Sequence, residues 1–93
     1  MVVGVAALEL YIPGCASLKE KRHVLRSLKD RLRRRFNVAV SEVDHQDLWQ
    51  RATLAIVTAA NDAAVVHGVL AHAQRLVEGE RRVELVDVQV ELR

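Results

Sequence analysis

The apolar residues of this chain switch back and forth between a two-residue and a 3.6-residue repeat, and the order of the switches leaves few folds open. Residues 2–12, VVGVAALELYI, are β-prone: Leu8, Leu10 and Ile12 fall on one face, and Val3, Val5, Ala7, Glu9 and Tyr11 on the other. Pro13-Gly14 ends that run. The pattern then becomes helical. Ser17 and Glu20 form an S-x-x-E capping box, and Leu18, Leu25, Leu28, Leu32 and Phe36 recur as a buried stripe. FNVAVSEV (36–43) alternates as a second strand. A polar loop, Asp44-His45-Gln46-Asp47, leads to a third strand over Arg51–Ala60. Asn61 is the expected N-cap of a second helix over 62–78, with Val65, Val66, Val69, Leu70, Ala73, Leu76 and Val77 as its apolar side. Gly79 stops it. Residues 82–92 alternate again, with Val86, Val88, Val90 and Leu92 expected inward.

The order β-α-β-β-α-β predicts an α+β, ferredoxin-like split βαβ fold. In it, four antiparallel strands carry two helices on one face. The 93 residues suffice for one such domain, residues 1–93, and not for two. Hydrophobic residues make up 51% of the chain but aromatics only 3%, so the core must be built from Val, Leu and Ala. One cysteine, Cys15, excludes an internal disulfide, and no Cys/His cluster suggests a metal. No apolar run approaches the ~20 residues that span a bilayer. The first dozen residues lack the basic start of a secretory signal, so the expected setting is cytoplasmic.

Charge is distributed unevenly. Leu18–Arg35 holds nine of the fourteen Lys and Arg residues and only two acids, a net +7; the remainder has five bases and ten acids, a net −5. At 100° per residue, Lys19, Arg22, Arg26, Lys29 and Arg33 fall within roughly 80° of arc beside the apolar stripe. Five cations along about 20 Å of helix match successive phosphates of a polyanion; the alternative is a solvated face that is merely basic. Lys21 projects into the apolar arc, between Leu25 and Leu28. A lysine there either snorkels past the core edge or pairs with a buried acid, and a lysine held at the mouth of the strand–helix loop is a candidate contact residue.

Asp44, His45, Asp47, Trp49 and Arg51 crowd one short stretch. D-H-x-D has metal-ligand chemistry but no further ligand at a usable spacing. The asparates are expected to organise the turn instead, while Trp49 either pins the hairpin or, with Arg51, offers a contact surface. Cys15 precedes a helix N-terminus, which favours a thiolate, yet no base adjoins it in sequence. No G-x-x-x-x-G-K-[ST] or G-x-G-x-x-G loop is present, which disfavours nucleotide hydrolysis.

The segments I-P-G at Ile12–Gly14, S-L-K-E-K-R at Ser17–Arg22, and Glu42-Val43-Asp44 through Gln46-Asp47-Leu48-Trp49-Gln50-Arg51 closely resemble the YlxP-like family of bacterial proteins, long carried as a domain of unknown function. The resemblance covers nearly the whole chain. It implies a small cytoplasmic protein with a ferredoxin-like fold, often encoded beside translation and ribosome-maturation genes. It implies no established activity and supplies no catalytic residue; Cys15 and His45 stand where variation is expected.

Three functions compete: an RNA- or ribosome-associated module using the basic helix, a homodimeric interaction module without nucleic acid, and an enzyme. The enzyme ranks last, since no nucleophile or paired acid and base emerges and no cofactor is implied. The sheet is a poor RNA platform: of its open-face residues Val3, Val5, Ala7, Glu9, Tyr11, Thr53, Ala55 and Val57, only Tyr11 carries a ring that could stack on a base. That face, apolar and small at its centre, suits contact with a second copy there or along a strand edge.

Overall fold

The computed structural model describes all residues, Met1–Arg93. Its elements are β1 (Val2–Tyr11), α1 (Leu18–Arg35), β2 (Ala39–Asp44), β3 (Arg51–Ala60), α2 (Ala63–Glu78) and β4 (Glu84–Leu92). The strands form one antiparallel sheet in the order β2-β3-β1-β4, so each β-α-β unit is split by an intervening strand. The fold is the ferredoxin-like α+β domain that the periodicity predicts.

β1 and β3 pair without a break from Val2↔Ala60 to Tyr11↔Arg51, which sorts the faces. Ala6, Leu8, Leu10, Leu54 and Ile56 are buried beneath the helices with Leu25, Leu28 and Leu32 of α1 and Val66, Leu70, Ala73 and Val77 of α2. Full burial of each large aliphatic side chain contributes about 1.5–3 kcal/mol. Gly4 lets α2 approach β1: a Cβ there would collide with Val66 and Leu70. No helix is long and apolar enough to cross a membrane.

The capping box forms with a shift. Ser17 Oγ accepts from Glu20 N at 3.1 Å, while Glu20 Oε2 accepts from Ala16 N at 2.9 Å, one residue before the cap. Gly14 turns the preceding loop with φ +72°, a conformation that favours glycine. Three local expectations are corrected. Phe36 does not open β2; four residues beyond Leu32 in the apolar stripe, it caps α1 by donating its N–H to Leu32 O at 3.0 Å. The N-cap of α2 is Asp62, not Asn61, with Oδ1 accepting from Ala64 N at 2.8 Å. In β4 a bulge opposite Glu9/Leu10 puts Leu85 against Leu10 and turns Val86 out to solvent.

Of the two alternatives open to it, Lys21 pairs with an acid rather than snorkelling to solvent. Its side chain is 2% exposed and its Nζ donates to His45 O at 2.6 Å. Glu42 Oε2 lies 2.8 Å from the same Nζ, an ion pair whose angle is not that of a directed hydrogen bond. This ammonium joins α1 to β2 and to the loop beyond it. Replacing Lys21 by Ala should destabilise the domain by ~3–5 kcal/mol, because Glu42 and the His45 carbonyl lose their partner. The double replacement Lys21→Met/Glu42→Leu should recover most of that loss. Urea unfolding of both variants decides it; equal losses would show that the pair is not the reason.

Glu80 makes the other tie between elements. Its carboxylate takes Arg31 Nη2 at 2.6 Å and Arg82 Nη2 and Nε at 2.8 and 3.0 Å, while Arg82 Nη2 also reaches Ser27 Oγ at 3.1 Å. The link into β4 is thereby fastened to α1. The Arg82 side-chain hydrogen bonds, foremost, hold the Glu80 carboxyl down at about 2, below its ordinary 4.5. The native state therefore binds fewer protons at this group than the unfolded chain does. The stabilisation is complete above pH 4.5 and is lost as the pH falls towards 2. Glu80→Gln should lower the melting temperature at neutral pH and flatten its acid dependence across that window. A parallel acid profile would remove Glu80 as a cause.

Candidate functional site

The five-cation stripe runs along the outer flank of α1, from Lys19 beside the groove that Arg82 lines to Arg33, which reaches Val40 of β2, and its members differ in freedom. Lys19, Arg22 and Arg26 are exposed and make no ion pair or side-chain hydrogen bond. Lys29 is half-buried. Arg33 is exposed but tethered: its Nη2 donates to Val40 O at 2.8 Å, and Asp30 stands 3.9 Å away. The stripe is thus three exposed, free cations, a half-buried Lys29 with no partner, and a tethered Arg33. All three free residues sit in the first half of α1, where the cap fixes the start of the helix and the buried leucines fix its rotation.

Lys21, expected as a contact residue, is instead internal, and its role is positioning. What it positions is the β2–β3 loop. Val43 is an unpaired bulge residue between Glu42 and Asp44. His45 follows with φ +63°, a left-handed conformation uncommon outside glycine. Its N–H is held by Asp44 Oδ1 at 2.8 Å, and its carbonyl takes both Lys21 Nζ and Leu48 N. Its ring reaches the open face of the sheet, with Nε2 at 3.5 Å from Glu9 Oε2; the other Glu9 oxygen accepts from Thr53 Oγ1 at 2.6 Å. Asp44 therefore organises the turn as expected, whereas Asp47 makes no such bond.

Beyond His45 the loop presents Trp49, 51% exposed, next to exposed Leu48 and Arg51 around a shallow concavity. Trp49 does not pin the hairpin into the core; half of it faces solvent. No three His, Cys, Asp or Glu side chains gather closely enough to hold a metal ion.

A groove of about 470 Å³ lies between the β1–α1 loop and Arg82, lined by Ile12, Cys15, Lys19, His23 and Val24 among others. It brings His23 to the same groove as Cys15, a juxtaposition not evident from spacing in the chain. Cys15 is buried, and its Sγ donates to Ser17 O at 3.3 Å, which ties it to the helix start.

The open face of the sheet is uncovered. Val3, Val5, Ala7, Ala55 and Val57 form its half-buried centre, and Glu84, Asp87 and Glu91 line it along β4. The molecule is a ferredoxin-like domain with cations on its helix layer and an apolar, acid-edged sheet behind. The chain belongs to the YlxP-like family: the family model described as "Protein of unknown function (DUF503)" matches residues 3–90. It is similar to "Uncharacterized protein YlxP" of Bacillus subtilis (strain 168), with 40% identity over 60 residues, which is 64% of this chain and 65% of that protein, just under two thirds of its length.

Proposed function

We propose that this protein is a non-enzymatic, cytoplasmic binding module for RNA or a ribosomal particle, with α1 as its contact surface. The observation that carries the reading is the set of free, exposed cations Lys19, Arg22 and Arg26 on one flank of a single helix. Elsewhere, Arg31, Arg82 and Arg93 are neutralised by carboxylates within the chain. Three unpaired cations a helical turn apart suit backbone phosphates, whose condensed counterions they displace. Contacts of this kind position a protein on RNA without reading its sequence. Trp49 and Arg51, at the far end of β2, add a stacking and a charged group for the same or a second partner.

Arg22→Glu/Arg26→Glu should weaken binding to single-stranded RNA at least ~10-fold with no change in melting temperature, since neither side chain bonds within the fold. Arg33 is left intact because it also holds β2. These three contacts should themselves contribute about −2 to the salt slope, at roughly 0.7 each, and Arg22→Glu/Arg26→Glu should remove most of that share. Salt-independent binding, or undiminished affinity in the double variant, would overturn the reading.

The second reading is a homodimer through the open sheet face, favoured by the uncovered valines and alanines of β1 and β3. Sedimentation equilibrium should return about twice the 10.4 kDa chain mass at micromolar concentration. Val5→Glu or Val57→Glu should shift it to monomer, because an unpaired carboxylate is costly to bury. A monomer at every concentration would remove this reading; the RNA reading does not need it.

A further inference from the structure

We propose that Arg35, His72 and Arg75 form a second phosphate-binding site, on the α2 side of the molecule, that takes a backbone phosphodiester of the same RNA. The inference rests on the RNA reading above and extends its footprint from one helix to both.

Three consecutive arginines end α1, and successive residues on a helix point about 100° apart. Arg33 turns to β2 and bonds Val40 O; Arg34 folds back on its own helix, with Nε 3.4 Å from Asp30 O. Arg35 goes to the other side. There it lines a groove of about 500 Å³ with Phe36, His72, Arg75 and Leu76. His72 and Arg75 are three residues apart on α2 and so share a face. All three cation-forming side chains are exposed, and none makes an ion pair or a side-chain hydrogen bond. No carboxylate lines the groove.

The helix dipole explains why arginines occupy the last turns of α1 and α2. It does not explain why residues from both helices converge on one concavity, nor His72, a turn earlier in α2. Like charges gathered without a counter-charge repel one another, and an anion between them removes that cost. The donors suit a phosphodiester: two guanidinium forks for its two non-bridging oxygens and an imidazole N–H beside them. Arg35 is partly oriented beforehand, its guanidinium carbon 5.7 Å from the centre of the Phe36 ring.

The test uses the full chain and a fluorescein-labelled oligouridylate, followed by anisotropy across a salt series. Arg35→Ala/Arg75→Ala should weaken binding ~10-fold and make the salt slope shallower by about 1.4, the value for two lost single-strand contacts. In a separate arm, the wild-type amide resonances of Phe36, His72 and Leu76 should shift on titration with the same oligomer. Unchanged affinity and slope in this variant, with a clear loss in Arg22→Glu/Arg26→Glu, would overturn the second site and leave the α1 stripe standing. No effect from either variant would overturn both. Resonance shifts with inorganic phosphate but none with oligouridylate would overturn the RNA assignment in favour of a small anion.

Discussion

The Lys21 ammonium is the contact on which the arrangement of this domain depends. A lysine in the middle of an apolar helical arc is costly unless its charge is met, and here it is met by Glu42 and the carbonyl of His45. The three groups come from α1, β2 and the loop after β2. One buried cation therefore determines how α1 sits over the β2 edge and why His45 stays in a left-handed conformation. Without the ammonium, that carbonyl would keep only its bond from Leu48 N. Replacing such a pair by matched hydrophobic groups is often neutral for stability, so its specific contribution is register rather than strength.

The rotation of α1 also decides the electrostatics. With Leu25, Leu28 and Leu32 inward, Lys21 is forced inward with them, and Lys19, Arg22 and Arg26 are carried to the outer flank. Glu80 meanwhile neutralises Arg31 and Arg82 on the opposite flank, between α1 and the link to β4. Free cations remain along the outer flank of α1 and in the groove between the ends of the helices, with Arg51 and Arg81 exposed and unpaired elsewhere. The acids Glu84, Asp87 and Glu91 stand along β4. On the proposed reading, a polyanion would be drawn to the helix layer and repelled from the acidic strand edge behind it, which would orient an encounter before any contact is made.

Periodicity made the element order, the bounds of β3 and the inward faces of β1 and α1 readable in the chain. Two of the failures lie where one residue belongs to two patterns or where an insertion breaks a repeat; the third is a choice between adjacent capping residues, Asn61 and Asp62, both of which can cap a helix. Phe36 extends both the helical stripe and the following alternation, and packing beside Leu32 decides for the helix cap. Val86 continues a flawless two-residue alternation, yet a bulge hands its place to Leu85, and nothing local announces a bulge. The cation stripe was legible because it lies on one helix, where angle follows from number. The partners of Lys21 were not, since they come from 21 and 24 residues away. The same holds for Arg35, His72 and Arg75, which only the packing of α1 against α2 brings together.

The loop between β2 and β3 joins these two themes. Its backbone is held from the helix side by Lys21 and its His45 ring from the sheet side by Glu9, so the segment is gripped on both faces of the sheet at once. Such fixation is expensive for a hairpin that serves only to reverse the chain, for which a two-residue turn suffices. The outcome of the fixation is the outward display of Leu48, Trp49 and Arg51, groups that a mobile loop would present only at an entropic cost on binding. A half-exposed tryptophan on a restrained loop would meet a partner with little further ordering. Because Lys21 restrains that loop and shares a helix with the free cations, the same buried charge sets the distance between Trp49 and the stripe. A single partner touching both would be measuring the geometry that Lys21 maintains.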